Sequence, residues 1–185
     1  MLDRPWSWLR QVHGDAVVVV AAPGDGAGRD GDGLVSAAPG TALAVFTADC
    51  APVALASPEG VIGVAHAGWR GLVAGVVERT ADRMRALGAG EIMGALGPCI
   101  HAECYEFSEV DLDHVAGVLG DGVRARTAAG TPALNMQAAV AVVLGHAGVT
   151  LAHDAAVCTA CAADDYFSHR ARAESERQAT VVWLP

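Results

Sequence analysis

Three residues of metal-ligand type are the first candidates for chemistry. His13 lies in the segment QVHG, Cys50 ends the segment TADC, and His66 opens the segment HAGWRG. Strand ends and strand-to-helix turns are where α/β proteins place their sites. Two imidazoles and one thiolate would leave one position of a tetrahedral zinc site open, which is a catalytic arrangement. The three are too far apart in sequence for a local zinc finger, and a lone His before Gly is also a common turn residue, so spacing alone leaves both interpretations open.

The segment HAGWRG carries a second candidate, an anion site beside His66. Gly68 and Gly71 would let a ligand approach the backbone closely, and a helix start here would present free N–H groups. Arg70 adds a planar, permanently charged guanidinium group. Phosphate or carboxylate would fit such a site. The alternative is a structural role for both residues, in which Arg70 pairs with a carboxylate and Trp69 fills the core.

Short apolar runs predict the elements that must position these residues. Runs without alternation predict strands buried on both faces, and helical spacing followed by a glycine predicts a helix over Gly71–Leu87. The capping residues Ser108 and Asn135 predict two further helices. The Gly- and Asp-rich stretch Pro23–Gly33 is expected to be an exposed loop. The predicted strands are 16–21, 41–47, 51–56, 61–65, 91–96, 149–152 and 179–184, and the two capped helices are 108–119 and 135–146.

Composition excludes several classes of function. The chain has 185 residues, which is one domain by length, and 52% of them are apolar. All twelve basic residues are arginine, which excludes a Schiff-base lysine and a phosphate-loop lysine. The formal net charge of −9 argues against a nucleic-acid surface. No apolar run reaches about 18 residues, and the first residues lack the apolar core of a signal peptide. We therefore expect a cytoplasmic protein with no membrane partner, whose five cysteines are free thiols.

A series of motifs in one order resembles a known family. QVHG, TADCAPV, HAGWRG, GPCI followed by YEF, and CT followed by YFSHR together resemble the YfiH family. Its members are described as polyphenol oxidase or laccase-domain proteins and as purine nucleoside phosphorylases. In that family the zinc ligands are the His of QVHG, the Cys of TADC and the His of HAGW. The resemblance therefore implies that His13, Cys50 and His66 bind Zn²⁺ together, with copper able to occupy the site in vitro.

The resemblance also implies a fold and a domain organisation. The implied fold is an α/β (α+β) sandwich with mixed β-sheets and helices packed outside. The similarity runs from Trp6 to the C-terminus, so we expect a single YfiH-like domain over residues 1–185 that lacks the N-terminal segment usually found before QVHG. The segment ARAESERQAT matches the family's TGR segment only loosely, and Arg177 is the candidate for that arginine.

The reaction implied by the resemblance is phosphorolysis of adenosine, inosine, guanosine and methylthioadenosine, with adenosine deamination as a second activity. Phosphorolysis needs an aligned phosphate, for which Arg70 is the candidate. Deamination needs a water activated by zinc and a carboxylate that moves a proton, for which Asp49 is the first candidate and Glu106 the second. The further substrate-contact candidates are Trp69, Arg170 and Cys158.

Other functions fit the same residues. Cys50 with a neighbouring His could act as nucleophile and base in a cysteine hydrolase, for instance on a peptidoglycan precursor. A zinc-binding module without turnover would also use the three ligands. A laccase-type oxidase is disfavoured, because the chain has seven histidines and no His-x-His pair. Cys158 and Cys161 form a Cys-x-x-Cys motif, but no second pair of that spacing completes a four-cysteine zinc site.

Overall fold

The computed structural model describes residues 4–185, which form twelve strands and five helices. The strands are β1 Trp6–Arg10, β2 Val17–Val19, β3 Arg29–Asp30, β4 Gly33–Ser36, β5 Ala42–Thr47, β6 Ala51–Ala56, β7 Ile62–Ala67, β8 Met93–Leu96, β9 Arg124–Arg126, β10 Pro132–Leu134, β11 Thr150–Asp154 and β12 Gln178–Trp183. The helices are α1 Trp69–Ala74, α2 Val76–Ala86, α3 Glu109–Leu119, α4 Met136–His146 and α5 His169–Arg172. Among these residues no helix has the length and apolar character needed to cross a membrane.

Two mixed sheets form the frame of the fold. The larger has six strands in the order β11-β8-β6-β7-β4-β2, and the smaller has four in the order β12-β5-β1-β3. In the larger sheet β7 pairs antiparallel with both β4 and β6, whereas β2 pairs parallel with β4. In the smaller sheet β5 pairs parallel with β1 and antiparallel with β12. The expectation of an α/β sandwich with mixed sheets is confirmed.

The larger sheet is the middle of three layers. Alternate residues of its strands point to opposite faces, so Leu34 and Val64 pack against Leu43 of the smaller sheet, while Val35 and Ala65 pack toward the helices. Both faces of the middle sheet are covered, which explains why its central strands are continuously apolar rather than alternating. The ends of these central strands lie at the edge where the candidate ligands are found.

The helix predicted over residues 71–87 is in fact two helices. α1 ends and α2 begins at Gly75, whose φ of 88° lies in the left-handed region that interrupts a right-handed helix. The hydrophobic spacing continues across the break, so the pattern could not reveal it. The two predicted caps are confirmed: Ser108 accepts a hydrogen bond from the Asp111 amide and Asn135 accepts one from the Ala138 amide.

The stretch predicted as an exposed loop, Pro23–Gly33, differs most from expectation. It contains β3 and the first residue of β4, and its last residues, Gly31, Asp32 and Gly33, are buried. Asp32 is fully buried because its carboxylate is surrounded by N–H donors. The prediction of an exposed loop is therefore wrong at this end.

Candidate active site

The three predicted metal ligands come together at one edge of the larger sheet. His13 lies beyond the end of β1, Cys50 directly precedes β6, and His66 lies within β7. Their ligand atoms all lie within 4.8 Å of one another, and Cys50 Sγ is 3.9 Å from His13 Nε2. Zn–S and Zn–N bonds of about 2.3 and 2.0 Å in a tetrahedron place sulfur and nitrogen about 3.5 Å apart. The residues present therefore fit a zinc ion with only a small movement.

A buried carboxylate that the sequence did not single out organises this trio. One oxygen of Asp32 lies 2.8 Å from His66 Nδ1 and also accepts the backbone N–H of His13 at 2.9 Å. The other oxygen accepts the N–H groups of Gly14 and Val12 at 2.8 and 3.2 Å. Asp32 thus holds the turn that carries His13, whose φ is 59°, and it leaves His66 Nε2 as the ligand atom. A carboxylate behind a ligating histidine is the usual support of a zinc site.

The charges of the site favour a thiolate. Burial raises the pKa of Cys50, but hydrogen bonds from His13 and His66 and their positive charge outweigh it and bring the pKa to about 6. Burial lowers the pKa of His66, but the hydrogen bonds with Asp32 and Cys50 outweigh it and bring the pKa to about 9. Without a metal, these shifts favour a His66 imidazolium that donates its Nδ1–H to Asp32 and directs its Nε2–H toward the Cys50 thiolate. A metal bound by the trio would take the place of the Nε2 proton.

Gly68 permits the close approach of two ligands. A Cβ at this position would lie 2.9 Å from His13 Cδ2 and 3.2 Å from Cys50 Sγ. The contact with His13 is shorter than a Cβ atom accepts and the contact with Cys50 is tight, so a side chain here would have to displace His13. The glycine of HAGW is therefore required by the trio itself, as well as by backbone access.

A small hollow of about 190 Å³ lies beside the trio. Two arginines face it: the Arg70 guanidinium stacks 4.3 Å from the Trp69 ring centre, and that of Arg170 lies 4.8 Å from the Tyr105 ring centre. Neither forms a salt bridge within residues 4–185. The small hollow is lined by His13, Ala48, Asp49, Cys50, Gly68, Trp69, Arg70, Tyr105, His169 and Arg170.

A large hollow of about 480 Å³ adjoins the trio as well. It shares His13, Ala48, Cys50 and His169 with the small hollow, so the candidate metal position borders both. Its remaining lining is part apolar and part polar, and Arg177 reaches it from the C-terminal segment. The full lining is Leu9, Gln11, His13, Phe46, Thr47, Ala48, Cys50, His66, His169 and Arg177. His169 was not among the predicted site residues, and only its place in the motif YFSHR could have indicated it.

Of the remaining predicted site residues, Asp49 lines the small hollow, whereas Glu106 and Cys158 line neither hollow. Asp49 is buried, with φ 92°, and its two carboxylate oxygens accept hydrogen bonds from Thr159 Oγ1 at 2.7 Å and the Arg170 amide at 2.6 Å. Glu106 has an exposed side chain, and its carbonyl oxygen accepts a hydrogen bond from the Arg170 guanidinium. Cys158 is buried and lines neither hollow.

Comparison with known proteins agrees with this geometry. The family model described as multi-copper polyphenol oxidoreductase laccase matches residues 1–185. A Streptomyces griseus protein named purine nucleoside phosphorylase is 43% identical over 185 residues, covering 96% of this chain and 73% of the relative. A Streptomyces coelicolor protein of the same name is 45% identical over 181 residues, with 96% and 74% covered.

Solved structures show the same fold. A Neisseria meningitidis protein superposes with a TM-score of 0.86 at 31% identity, covering 98% of this chain and 75% of that one. The Bacillus licheniformis protein YfiH superposes with a TM-score of 0.84 at 28% identity, covering 97% and 74%. The chain therefore belongs to the YfiH family, whose family model is described as multi-copper polyphenol oxidoreductase laccase.

Proposed function

We propose that this chain is a zinc-dependent purine nucleoside phosphorylase that acts on adenosine, inosine, guanosine and methylthioadenosine, with adenosine deaminase as a second activity. The names of relatives 43% and 45% identical to it support the first activity. The observation that carries the proposal is the position of two arginines, which have no carboxylate partner among residues 4–185, beside the His–Cys–His trio. Such a site can hold an anion and an electrophile next to each other.

The small hollow is the proposed phosphate site. The Arg70 and Arg170 guanidinium groups are each supported by an aromatic ring, so their orientation is restricted before any ligand arrives. A phosphate between them would be held by two permanent charges with planar donor groups. In phosphorolysis a phosphate oxygen forms a bond to C1′ of the ribose, the C1′–N9 bond breaks, and the purine leaves with a proton. Alignment of the phosphate is therefore the main contribution of these residues.

The large hollow is the proposed nucleoside site. Its side chains of Leu9 and Phe46 offer apolar surface for a purine ring, and those of Gln11 and Arg177 offer polar groups. Because both hollows share the edge formed by His13 and Cys50, a nucleoside and a phosphate would meet at the trio. Zn²⁺ bound by the trio would supply the Lewis acidity that deamination needs to activate water for attack at C6 of adenine.

Asp49 remains the first proposed proton-transfer group and Glu106 the second. Asp49 lines the small hollow, but both its oxygens already accept hydrogen bonds, one of them from the backbone of Arg170. It would therefore position Arg170 as well as move a proton. Replacement Asp49→Asn separates these roles, because the amide keeps the shape and one acceptor. Activity near that of the unmodified protein would exclude Asp49 as the proton carrier.

The first experiment incubates adenosine with zinc-loaded protein, with and without phosphate, and separates the products by chromatography. Adenine and ribose 1-phosphate formed only with phosphate would support phosphorolysis. Inosine formed under both conditions would support deamination. Arg70→Ala should raise the KM for phosphate, whereas Arg83→Ala, which removes an exposed arginine of α2 outside both hollows, should not. Unchanged adenosine while zinc occupies the His–Cys–His trio, shown by protection of Cys50 from alkylation, would refute the nucleoside proposal.

A cysteine hydrolase is the second candidate, because one observation favours it. Cys50, His66 and Asp32 form a chain of thiol, imidazole and carboxylate, and the pKa of Cys50 is lowered to about 6. This is the order of groups used by a metal-free thiolate nucleophile. Such an enzyme would hydrolyse an amide, for instance in a peptidoglycan precursor, and would be indifferent to chelators.

Alkylation distinguishes the two candidates. A zinc-bound Cys50 should resist iodoacetamide until a chelator removes the metal, and turnover should be lost with the metal. A nucleophilic Cys50 should be alkylated at the same rate with and without chelator, with loss of turnover only on alkylation. Protection without any turnover on either substrate class would instead indicate a zinc-binding module.

A further inference from the structure

A second group of soft ligand atoms lies apart from the trio. We call Cys104, Cys158 and Cys161 the three-thiol cluster. Their sulfur atoms all lie within 4.8 Å of one another, and Cys104 Sγ is 3.4 Å from Cys161 Sγ. None of the three lines either hollow described above. The proposed nucleoside chemistry therefore does not explain why they converge.

The chain builds this cluster from two distant segments. Cys158 and Cys161 lie on one turn, closed by a hydrogen bond of 2.9 Å from the Ala162 amide to the Cys158 carbonyl. Cys104 ends the 3₁₀ turn Ala102–Cys104. The His101 amide, at the start of that turn, donates to Cys158 Sγ at 3.4 Å. A backbone N–H directed at sulfur stabilises the thiolate form, as is usual around metal-bound cysteines.

The chemistry of the cluster suits a soft cation better than three free thiols. Two thiolates bound to one zinc ion at about 2.3 Å in a tetrahedron lie about 3.8 Å apart, close to the separation of Cys104 and Cys161. Three thiolates this close repel one another unless a positive charge lies between them. His101 and Glu103 adjoin Cys158 and offer a further ligand.

We propose that the three-thiol cluster is a second metal site, distinct from the His–Cys–His trio, that binds Zn²⁺ as a structural ion. On binding, each S–H bond is replaced by an S–Zn bond and the three protons pass to solvent, with no change of oxidation state. Cys₃His is a known structural zinc set, and His101 has the ligand type that completes it.

The ion would stiffen one wall of the small hollow. Cys104 directly precedes Tyr105, whose ring lies beneath the Arg170 guanidinium. The turn that carries Cys158 and Cys161 also holds Thr159, which donates to the Asp49 carboxylate. Joining the two segments through one metal therefore fixes both supports of Arg170 relative to each other.

The test counts zinc in variants purified under reductant without chelator. Cys50→Ser removes a ligand of the trio, so this variant should retain one zinc per chain, and adding Cys104→Ser and Cys161→Ser should bring the content to zero. Cys99→Ala is the matched control, because Cys99 is a buried thiol outside the cluster. Combined with Cys50→Ser, it should leave one zinc. No zinc in reduced Cys50→Ser would overturn the proposal.

Two further measurements guard against a folding defect. Cys161 is exposed, so the variant Cys161→Ser should fold normally, as judged by circular dichroism. Its affinity for the zinc ion of the cluster should nevertheless fall by at least about tenfold, because one ligand is lost. Iodoacetamide mapped by mass spectrometry should leave Cys104 and Cys161 unmodified in zinc-loaded protein and modify them after chelation. Equal modification with and without zinc, or a Cys104–Cys161 disulfide formed equally in both, would contradict a metal site. These outcomes do not depend on nucleoside turnover.

Discussion

Replacing Asp32 by Asn tests whether a carboxylate behind His66 organises the trio. The side chain is fully buried and receives N–H groups from His66, Val12, His13 and Gly14. Asparagine keeps the shape of the side chain but has only one acceptor oxygen. Its NH₂ group would face N–H donors that now bind the second carboxylate oxygen. At least one backbone N–H of the His13 turn, or His66 Nδ1–H, then loses its partner.

The expected size follows from these contacts. A buried donor left without a partner costs about 1–3 kcal/mol, and hydrogen bonds to a neutral oxygen are weaker than those to a charged one by roughly 1 kcal/mol each. We therefore expect Asp32→Asn to lower the free energy of unfolding of the metal-free protein by about 3 kcal/mol. Since His66 also loses its orienting carboxylate, zinc affinity should fall by about 10–100-fold.

Urea unfolding of the metal-free protein and chelator competition for zinc measure the two effects separately. Asp30→Asn is the matched control, since Asp30 is exposed, its only ion pair within residues 4–185 is with Arg10 on the surface, and it lies two residues from Asp32. We expect Asp30→Asn to leave both the urea midpoint and the zinc affinity unchanged. If Asp32→Asn binds zinc within about twofold of the unmodified protein, the carboxylate does not orient the ligand and the reasoning fails.

Three other substitutions separate site geometry from backbone and charge effects. Gly68→Ala should weaken zinc binding by at least about tenfold in chelator competition, because its Cβ would displace His13 and Cys50. Gly75→Ala should leave zinc affinity unchanged but lower the free energy of unfolding in urea by about 1–2 kcal/mol, because only its left-handed φ of 88° resists a side chain. Glu78→Gln should raise the urea midpoint at pH 7, because burial raises the pKa of Glu78 and one of its oxygens has no partner within residues 4–185. In the unmodified protein the folded state binds the proton of Glu78 more tightly than the unfolded state does, so ionised Glu78 destabilises the fold. Below about pH 4 Glu78 is protonated in both states and the gain from Glu78→Gln should vanish. A gain that persists there would contradict the explanation.

The sequence indicated which candidate ligands converge, but not the carboxylate that supports them. His13, Cys50 and His66 could be chosen because their residue types and the motifs around them are distinctive. Asp32 could not, because it lies in a stretch of Gly and Asp whose composition predicts an exposed loop. Its burial depends on donors from the turn of His13 and from β7, which only the folded chain brings to it.

Sequence patterns likewise predicted some elements of the fold and missed others. Strands β5, β6 and β7 were predicted within two residues, since continuous apolar runs mark strands covered on both faces. Strand β4 was missed because it begins at Gly33, the last residue of the Gly- and Asp-rich stretch, and has only three residues beyond it. The break between α1 and α2 was missed because one glycine in the left-handed region does not disturb hydrophobic spacing. The pairing of Cys104 with the Cys158–Cys161 turn is likewise a property of the folded chain, since no sequence spacing connects them.

The distribution of the site along the chain has a consequence for synthesis. Asp32 and the three ligands of the trio all precede α1, and so do the strands that carry them and β5, with which β1 pairs. Arg170 belongs to α5, and Arg177 directly precedes β12, so both leave the ribosome long after His66 of β7. Because chains fold from the N-terminus as they emerge, a nascent chain would acquire its proposed metal site early. Arg70 emerges soon after that site, but Arg170 would complete the proposed phosphate site only much later in translation. A ribosome stalled between Arg70 and Arg170 would therefore present a chain that can bind metal but has no turnover.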